Sequence, residues 1–184
     1  MVSRKRLQDI RTLAVDSSSR TSVALARVIL ERKYGVAADS VAHPPDLEPM
    51  LAIADAALII GDPALHIDPA SGAGRFVYDL GAEWGEMTGL PMVFAVWAGR
   101  KGVASPDVAL AFQESCRFGR ERIDEIARSE AGVRGLSFEL AREYLTRHIV
   151  NELGPREHQG MELFLKYARQ PAVTPSVAPP ITVV

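Results

Sequence analysis

The run Ala56-Ala57-Leu58-Ile59-Ile60 constrains this chain more than any other stretch, because it leaves no polar face to turn towards water. Unbroken apolarity over that length suits a central strand covered on both faces, and Gly61-Asp62-Pro63 ends it abruptly. An earlier run, Thr12-Leu13-Ala14-Val15, ends in the polar cluster Asp16-Ser17-Ser18-Ser19-Arg20-Thr21-Ser22 and is followed by helical periodicity. From Ser22 to Tyr34, Leu25, Val28, Ile29 and Leu30 fall near one face, Arg32 and Lys33 supply a cationic last turn, and Gly35 is placed to stop the helix. The order is strand, loop, helix.

The same alternation continues. Asp46 is positioned to cap a short helix running to Ala54. Residues 66 to 75, with Pro69, Gly72 and Gly74, read as a loop, Phe76–Leu80 as a short strand, and Gly81–Thr88 as a helix. After Gly89-Leu90-Pro91, the run Met92–Ala98 reads as one more apolar strand. Strand and helix in alternation argue for an α/β lobe with a parallel or mixed sheet. Beyond Gly102 the pattern is helical only. One helix is expected from Ser105-Pro106 to about Glu130, and a second from Ser137 to Leu153 with Leu140, Tyr144, Leu145 and Ile149 inward. A third is expected from Pro155 to Ala168 with Met161, Phe164 and Leu165 inward. The expected organisation is an α/β lobe over 1–104, a helical part over 105–170 and a proline-rich disordered tail over 171–184.

Charge narrows the partners. With 21 basic and 23 acidic side chains the net charge is −2, so there is no broad basic field for nucleic acid or an anionic membrane. No apolar run is long enough for a membrane span or a signal peptide. The single cysteine, Cys116, cannot form an internal disulfide, and a reducing cytoplasm is the expected setting. Cys116 falls on the apolar side of its helix and reads as a buried structural thiol. His43, His66, His148 and His158 form no metal-spaced pair, so no metal site is expected, and His148 reads as a structural or surface residue. No serine sits in a G-x-S-x-G setting, and Ser71-Gly72-Ala73-Gly74 follows no strand, so neither a serine hydrolase nor a dinucleotide fingerprint is present.

The chemistry-bearing feature is the polar cluster before the first long helix. Free N–H groups, the positive end of the helix dipole, hydroxyls and Arg20 together suit a small carboxylate or phosphate, while the alternative is a serine-rich N-cap that binds only its own helix. Asp62 stands at the carboxyl end of a buried strand, where ligands bind in open α/β sheets; alternatively it caps the next turn or pairs with Arg20. Asp79 repeats that position, with a helix N-cap as its other reading. Trp84 and Trp97 read as core or cleft-wall aromatics.

Taken in order, Leu13-Ala14-Val15-Asp16-Ser17-Ser18-Ser19-Arg20-Thr21-Ser22, then Ala56–Leu65, Tyr78-Asp79-Leu80-Gly81 with Trp84, Thr88-Gly89-Leu90-Pro91 and Phe94-Ala95-Val96-Trp97-Ala98 resemble the chorismate dehydratases of the futalosine route to menaquinone. The resemblance covers residues 2 to about 169. It implies a lobe like those of type II periplasmic binding proteins and a cytoplasmic carbon–oxygen lyase. The implied reaction eliminates water from chorismate to give 3-[(1-carboxyvinyl)oxy]benzoate, with no metal or organic cofactor. Ser19, Arg20, Thr21 and Ser22 would bind carboxylate and Asp62 would organise the cleft, while no residue is singled out as the general base. Family members carry a first lobe ahead of the equivalent of Met1. The resemblance therefore implies a truncated or internally started chain, weak or inactive alone, whose helices 105–170 would pack on that lobe. Other readings are a non-catalytic carboxylate-binding lobe, a partner for a separate N-terminal lobe or a second copy, and the sister enzyme forming 1,4-dihydroxy-6-naphthoate.

Overall fold

The computed structural model describes residues 1–16, 18–67, 74–100, 103 and 105–170. The front of the chain runs β1 (Val2–Ser3), a 3-10 turn (Leu7–Asp9), β2 (Thr12–Val15), α1 (Arg20–Tyr34), β3 (Asp39–Ala42), α2 (Leu47–Ile53), β4 (Ala56–Leu58), α3 (Asp62–Leu65), β5 (Phe76–Val77) and α4 (Leu80–Thr88). Four more helices follow: α5 (Pro106–Arg120), α6 (Ile123–Val133), α7 (Phe138–Glu143), which runs into a π-turn at Tyr144–His148, and α8 (Pro155–Arg169).

The sheet has the order β3-β2-β4-β1-β5. Strand β2 pairs in parallel with β3 and β4, with Leu13 opposite Ser40 and Ala56, whereas β1 is antiparallel to both β4 and β5. Strands β2, β3, β4 and β5 therefore all point the same way, and their carboxyl ends share one edge. As its sequence requires, β4 is central and Ala56, Ala57 and Leu58 are all buried. The ladder stops at Leu58, two residues short of the apolar run.

Side-chain alternation divides the core. Leu13, Val15, Ala56 and Leu58 face α1 and α4, with Leu25, Val28, Ile29, Leu30, Trp84 and Phe164 packed above them. Each large side chain buried there stabilises the fold by roughly 1.5–3 kcal/mol relative to exposure. Val2, Ala14 and Ala57 face the other way, onto Met50 and Leu51 of α2. Helix α1 starts at Arg20, two residues before its apolar periodicity, because Ser19 caps it, and it stops at Gly35 in the left-handed conformation. Lys33 Nζ clamps α1 to α4, 2.7 Å from Glu83 and 2.8 Å from Glu86, and the Tyr34 hydroxyl donates to the same Glu83 oxygen.

Several expectations are corrected. Residues 92–98 form no strand: the segment lies alongside no described strand, and an apolar run becomes a ladder only where an edge is free to pair with it. Phe94 and Val96 are half exposed and Trp97 is 84% exposed, so Trp97 belongs to no core; its ring rests on Phe112 at 4.6 Å between centroids. The single helix expected over 105–130 is two, broken at Glu121-Arg122 where the Arg122 amide turns back to Gly119 O, after a glycine that weakens the last turn of α5. The helix expected to reach Leu153 ends its α-form at Glu143 and its π-turn at His148. Leu140 and Leu165 are exposed rather than inward, because nothing described packs on their faces, and Cys116 is half buried rather than a core thiol. His148 is on the surface. The loop reading falls partly, and the tail reading over 171–184 wholly, outside the described residues. Among the described residues no helix is long and apolar enough to cross a membrane.

Candidate functional site

Parallel strands β2 and β4 are neighbours, and adjacent strands lie roughly 4.8 Å apart. The turns that leave them, into α1 and α3, are therefore neighbours at the carboxyl edge. Strand β5 ends at the same edge and feeds α4. Four helices, α1 to α4, follow strands that end there.

At the start of α1 the Ser19 hydroxyl accepts the Ser22 amide at 3.3 Å. The amides of Arg20 and Thr21, at the first two helical positions, have no acceptor among the described residues, as the geometry of a helix start dictates. Arg20 is exposed and forms no ion pair among the described residues, and Thr21 is half buried. Ser22 is buried. The four predicted residues thus divide: Arg20 and Thr21 present donors to the open edge, Ser19 holds the cap, and Ser22 points into the lobe. Asp16 precedes them, with its carboxylate accepting the Ser18 hydroxyl at 2.6 Å and the Ser18 amide at 2.9 Å. Those two bonds, the hydroxyl first, hold its carboxyl below the usual carboxylate range.

Asp62 opens α3 after Gly61, which sits at φ 64, ψ −152, a conformation that only glycine adopts without strain. Among the described residues its carboxylate neither caps a turn nor meets Arg20. Instead Oδ2 lies 3.1 Å from Arg134 Nε, at the end of α6. The same guanidinium bonds Glu130, and the His66 Nε2–H donates to the Arg134 carbonyl at 3.1 Å. Asp79 is the N-cap of α4, accepting the Gly81 amide at 2.7 Å and the Ala82 amide at 3.2 Å. The ring of Phe94 lies 3.6 Å from where a side chain at Gly81 would begin, so residue 94 stands beside this helix start.

Among the described carboxylates that end this edge, Asp16 is engaged by Ser18, Asp62 by Arg134 and Asp79 by backbone amides, whereas the exposed Asp46 ahead of α2 makes no cap bond. At the start of α1 the open groups, Arg20 and the amides of Arg20 and Thr21, are cationic and hydrogen-bond donating, which suits an anion. Among the described residues no group of three or more His, Cys, Asp and Glu is placed to hold a metal ion. Two shallow surface grooves, of about 290 Å³ between Arg6, Tyr34 and Tyr78 and about 420 Å³ between Gly89, Pro91 and Arg156, are lined by none of Arg20, Thr21, Asp62 or Asp79. With Arg20, Gly61, Asp62 and Asp79 all exposed, the edge is one open wall. Arg134 and His66 escaped sequence reasoning because their link to Asp62 is a tertiary contact with no local spacing to betray it.

The antiparallel β1 also begins at this edge, where the Met1 amine donates to the Tyr78 carbonyl at 2.8 Å. Burial pushes that amine from 8.0 down to about 6, against a smaller opposing effect of Asp79. In a chain whose Met1 amine is free, the unfolded state binds more protons than the folded state between pH 6 and 8. Stability therefore rises with pH across that window, by roughly 2–3 kcal/mol from this group. Urea unfolding at pH 6 and pH 8 measures it, and acetylation of the amine is expected to abolish the difference; an equal rise in the acetylated chain would contradict it.

A family model described as menaquinone biosynthesis matches residues 1–170. A chorismate dehydratase from Thermus thermophilus is 32% identical over 154 residues, an alignment covering 76% of this chain and 56% of the relative. The chain thus spans about half the length of that relative. With the match running through every described element of the α/β lobe and its helices, the chain belongs to the menaquinone biosynthesis family.

Proposed function

We propose that this chain contributes the chorismate-binding lobe of a chorismate dehydratase, a cytoplasmic hydro-lyase of the futalosine route. The observation that carries the reading is the start of α1, where Arg20 and the amides of Arg20 and Thr21 stand open at the carboxyl edge. A charge-assisted hydrogen bond contributes about 1.5–3 kcal/mol, so two or three such donors hold one carboxylate of the dianion.

In the elimination, a proton leaves the carbon that bears the enolpyruvyl ether and hydroxide leaves the adjacent carbon; the ring becomes aromatic and 3-[(1-carboxyvinyl)oxy]benzoate and water are formed. The change is redox-neutral and aromatisation drives it. The protein must fix the dianion, accept the proton and assist the hydroxide away from bulk water. This lobe does the first. No residue of this edge is singled out as the proton acceptor, and we assign that role to the wall that faces the edge. Residues 1–104 together with α8, whose Phe164 packs in the same core, are the binding lobe, and the helices between them are the part that turns towards that second wall, supplied by a first lobe or by another copy.

The test is incubation of chorismate with the purified chain, followed by calorimetry and chromatography. Saturable binding is expected, with chorismate recovered intact and binding weakened roughly 10- to 100-fold in Arg20→Gln. Absence of binding would contradict the site, and rapid turnover would contradict the assignment of the proton acceptor elsewhere.

A further inference from the structure

We propose that Arg134 is the receptor for the second carboxylate of the ligand whose first carboxylate is held at Arg20, an inference that rests on the dianion reading above. Chorismate carries two carboxylates, and a helix start with one arginine neutralises one of them. A second cation has to reach the same edge. Arg134 comes from the helical part of the chain, and its Nε lies 3.1 Å from Asp62 at the start of α3. Helices α1 and α3 leave neighbouring parallel strands, so Arg20 and Arg134 belong to adjacent turns of one edge although they come from opposite ends of the sequence.

Three features fit Arg134 to the role. Its side chain is 40% exposed, and that of Asp62 against it is 56% exposed, so the pair is open to exchange with a ligand rather than sealed in a core. Its backbone is fixed: the carbonyl accepts from His66, and Gly135, left-handed at φ 64, ends the helix immediately after it. Its planar fork meets Asp62 through Nε and Glu130 through Nη1, and neither contact uses Nη2. Asp62 is then a stand-in, an internal carboxylate resting where the carboxylate of the ligand docks. The expected consequence is opposite to that of an Asp62 that binds substrate itself: removing its charge tightens the ligand.

Calorimetric titration of the 184-residue chain with chorismate and with benzoate, a monocarboxylate, decides the matter. Arg134→Gln is expected to weaken chorismate roughly 10- to 100-fold and leave benzoate unchanged, with Arg134→Lys intermediate. Arg20→Gln is expected to weaken both, and Asp62→Asn to tighten chorismate several-fold. Thermal unfolding of each variant, with Arg134→Lys as the conservative control, separates lost binding from lost fold. The proposal is overturned if Arg134→Gln binds chorismate as the parent does while Arg20→Gln does not, or if Asp62→Asn weakens binding as Arg20→Gln does. If the parent chain binds no chorismate, the functional reading falls and the role of Arg134 falls with it; that outcome differs from the others because Arg20→Gln then changes nothing.

Discussion

Trp84→Ala is expected to destabilise the protein by about 3–5 kcal/mol, the range for removing a buried large aromatic side chain. Trp84 is fully buried at the centre of the larger core layer, with its ring edge-on to Phe164 at 6.0 Å and to Tyr167 at 6.1 Å. It joins α4 to α8, so its loss releases two helices. For a chain of this length the change corresponds to a fall in Tm of roughly 6–20 °C. Trp84→Phe separates packing from polarity. The Trp84 Nε1–H is buried with no acceptor among the described residues, and leaving such a donor unsatisfied costs about 1–3 kcal/mol. Phenylalanine removes that donor while keeping most of the ring, so the loss is expected to be under about 2 kcal/mol. Denaturant unfolding checks both variants; a phenylalanine variant as unstable as the alanine variant would contradict the account of the indole.

Gly160→Ala is the second large effect, and its sign is the informative part. In an exposed helix interior, replacing glycine by alanine stabilises by about 1 kcal/mol. Gly160 is buried in α8, and a Cβ there would lie 2.1 Å from the Pro91 carbonyl oxygen and 3.3 Å from its carbon. Backbone cannot yield as a side-chain tip can, so α8 must lift away from residues 89–91. The expected cost is about 3 kcal/mol, at the upper end for overpacking. The Arg156 guanidinium, which donates to the Gly89 carbonyl at 2.7 Å, is pulled away with it. Limited proteolysis is expected to cut near the start of α8 in the variant and not in the parent. A variant at least as stable as the parent would show that α8 does not approach the 89–91 segment this closely.

What the sequence made legible follows the range of the forces involved. The β2–α1 unit could be read because its signals are local: an apolar tetrad, a serine three residues before the amide it caps, periodic apolar residues and Gly35. Asp79 is likewise a local cap. The fate of Met92–Ala98 could not be read, because a strand is a property of two edges and the run specifies only one of them. The same holds for Trp97, whose exposure depends on what covers it. At the site, Arg20 and Thr21 were legible as helix-start donors, whereas Arg134 was not. An ion pair between α3 and α6 depends on how the helical part docks, which no spacing encodes. Asp62 shows the limit from the other side: its position at a strand end was readable and its partner was not.

The central claim is that the carboxyl edge around the start of α1 receives a dianion of the chorismate type, and amide chemical shifts during a chorismate titration test it most directly. The account predicts saturable shifts largest at the amides of Arg20 and Thr21 and at the Arg134 side chain, with Arg6, Gln8 and Tyr34 of the Arg6–Tyr78 groove unmoved. Shifts that leave Arg20 and Thr21 in place, or that gather at that groove instead, would contradict it.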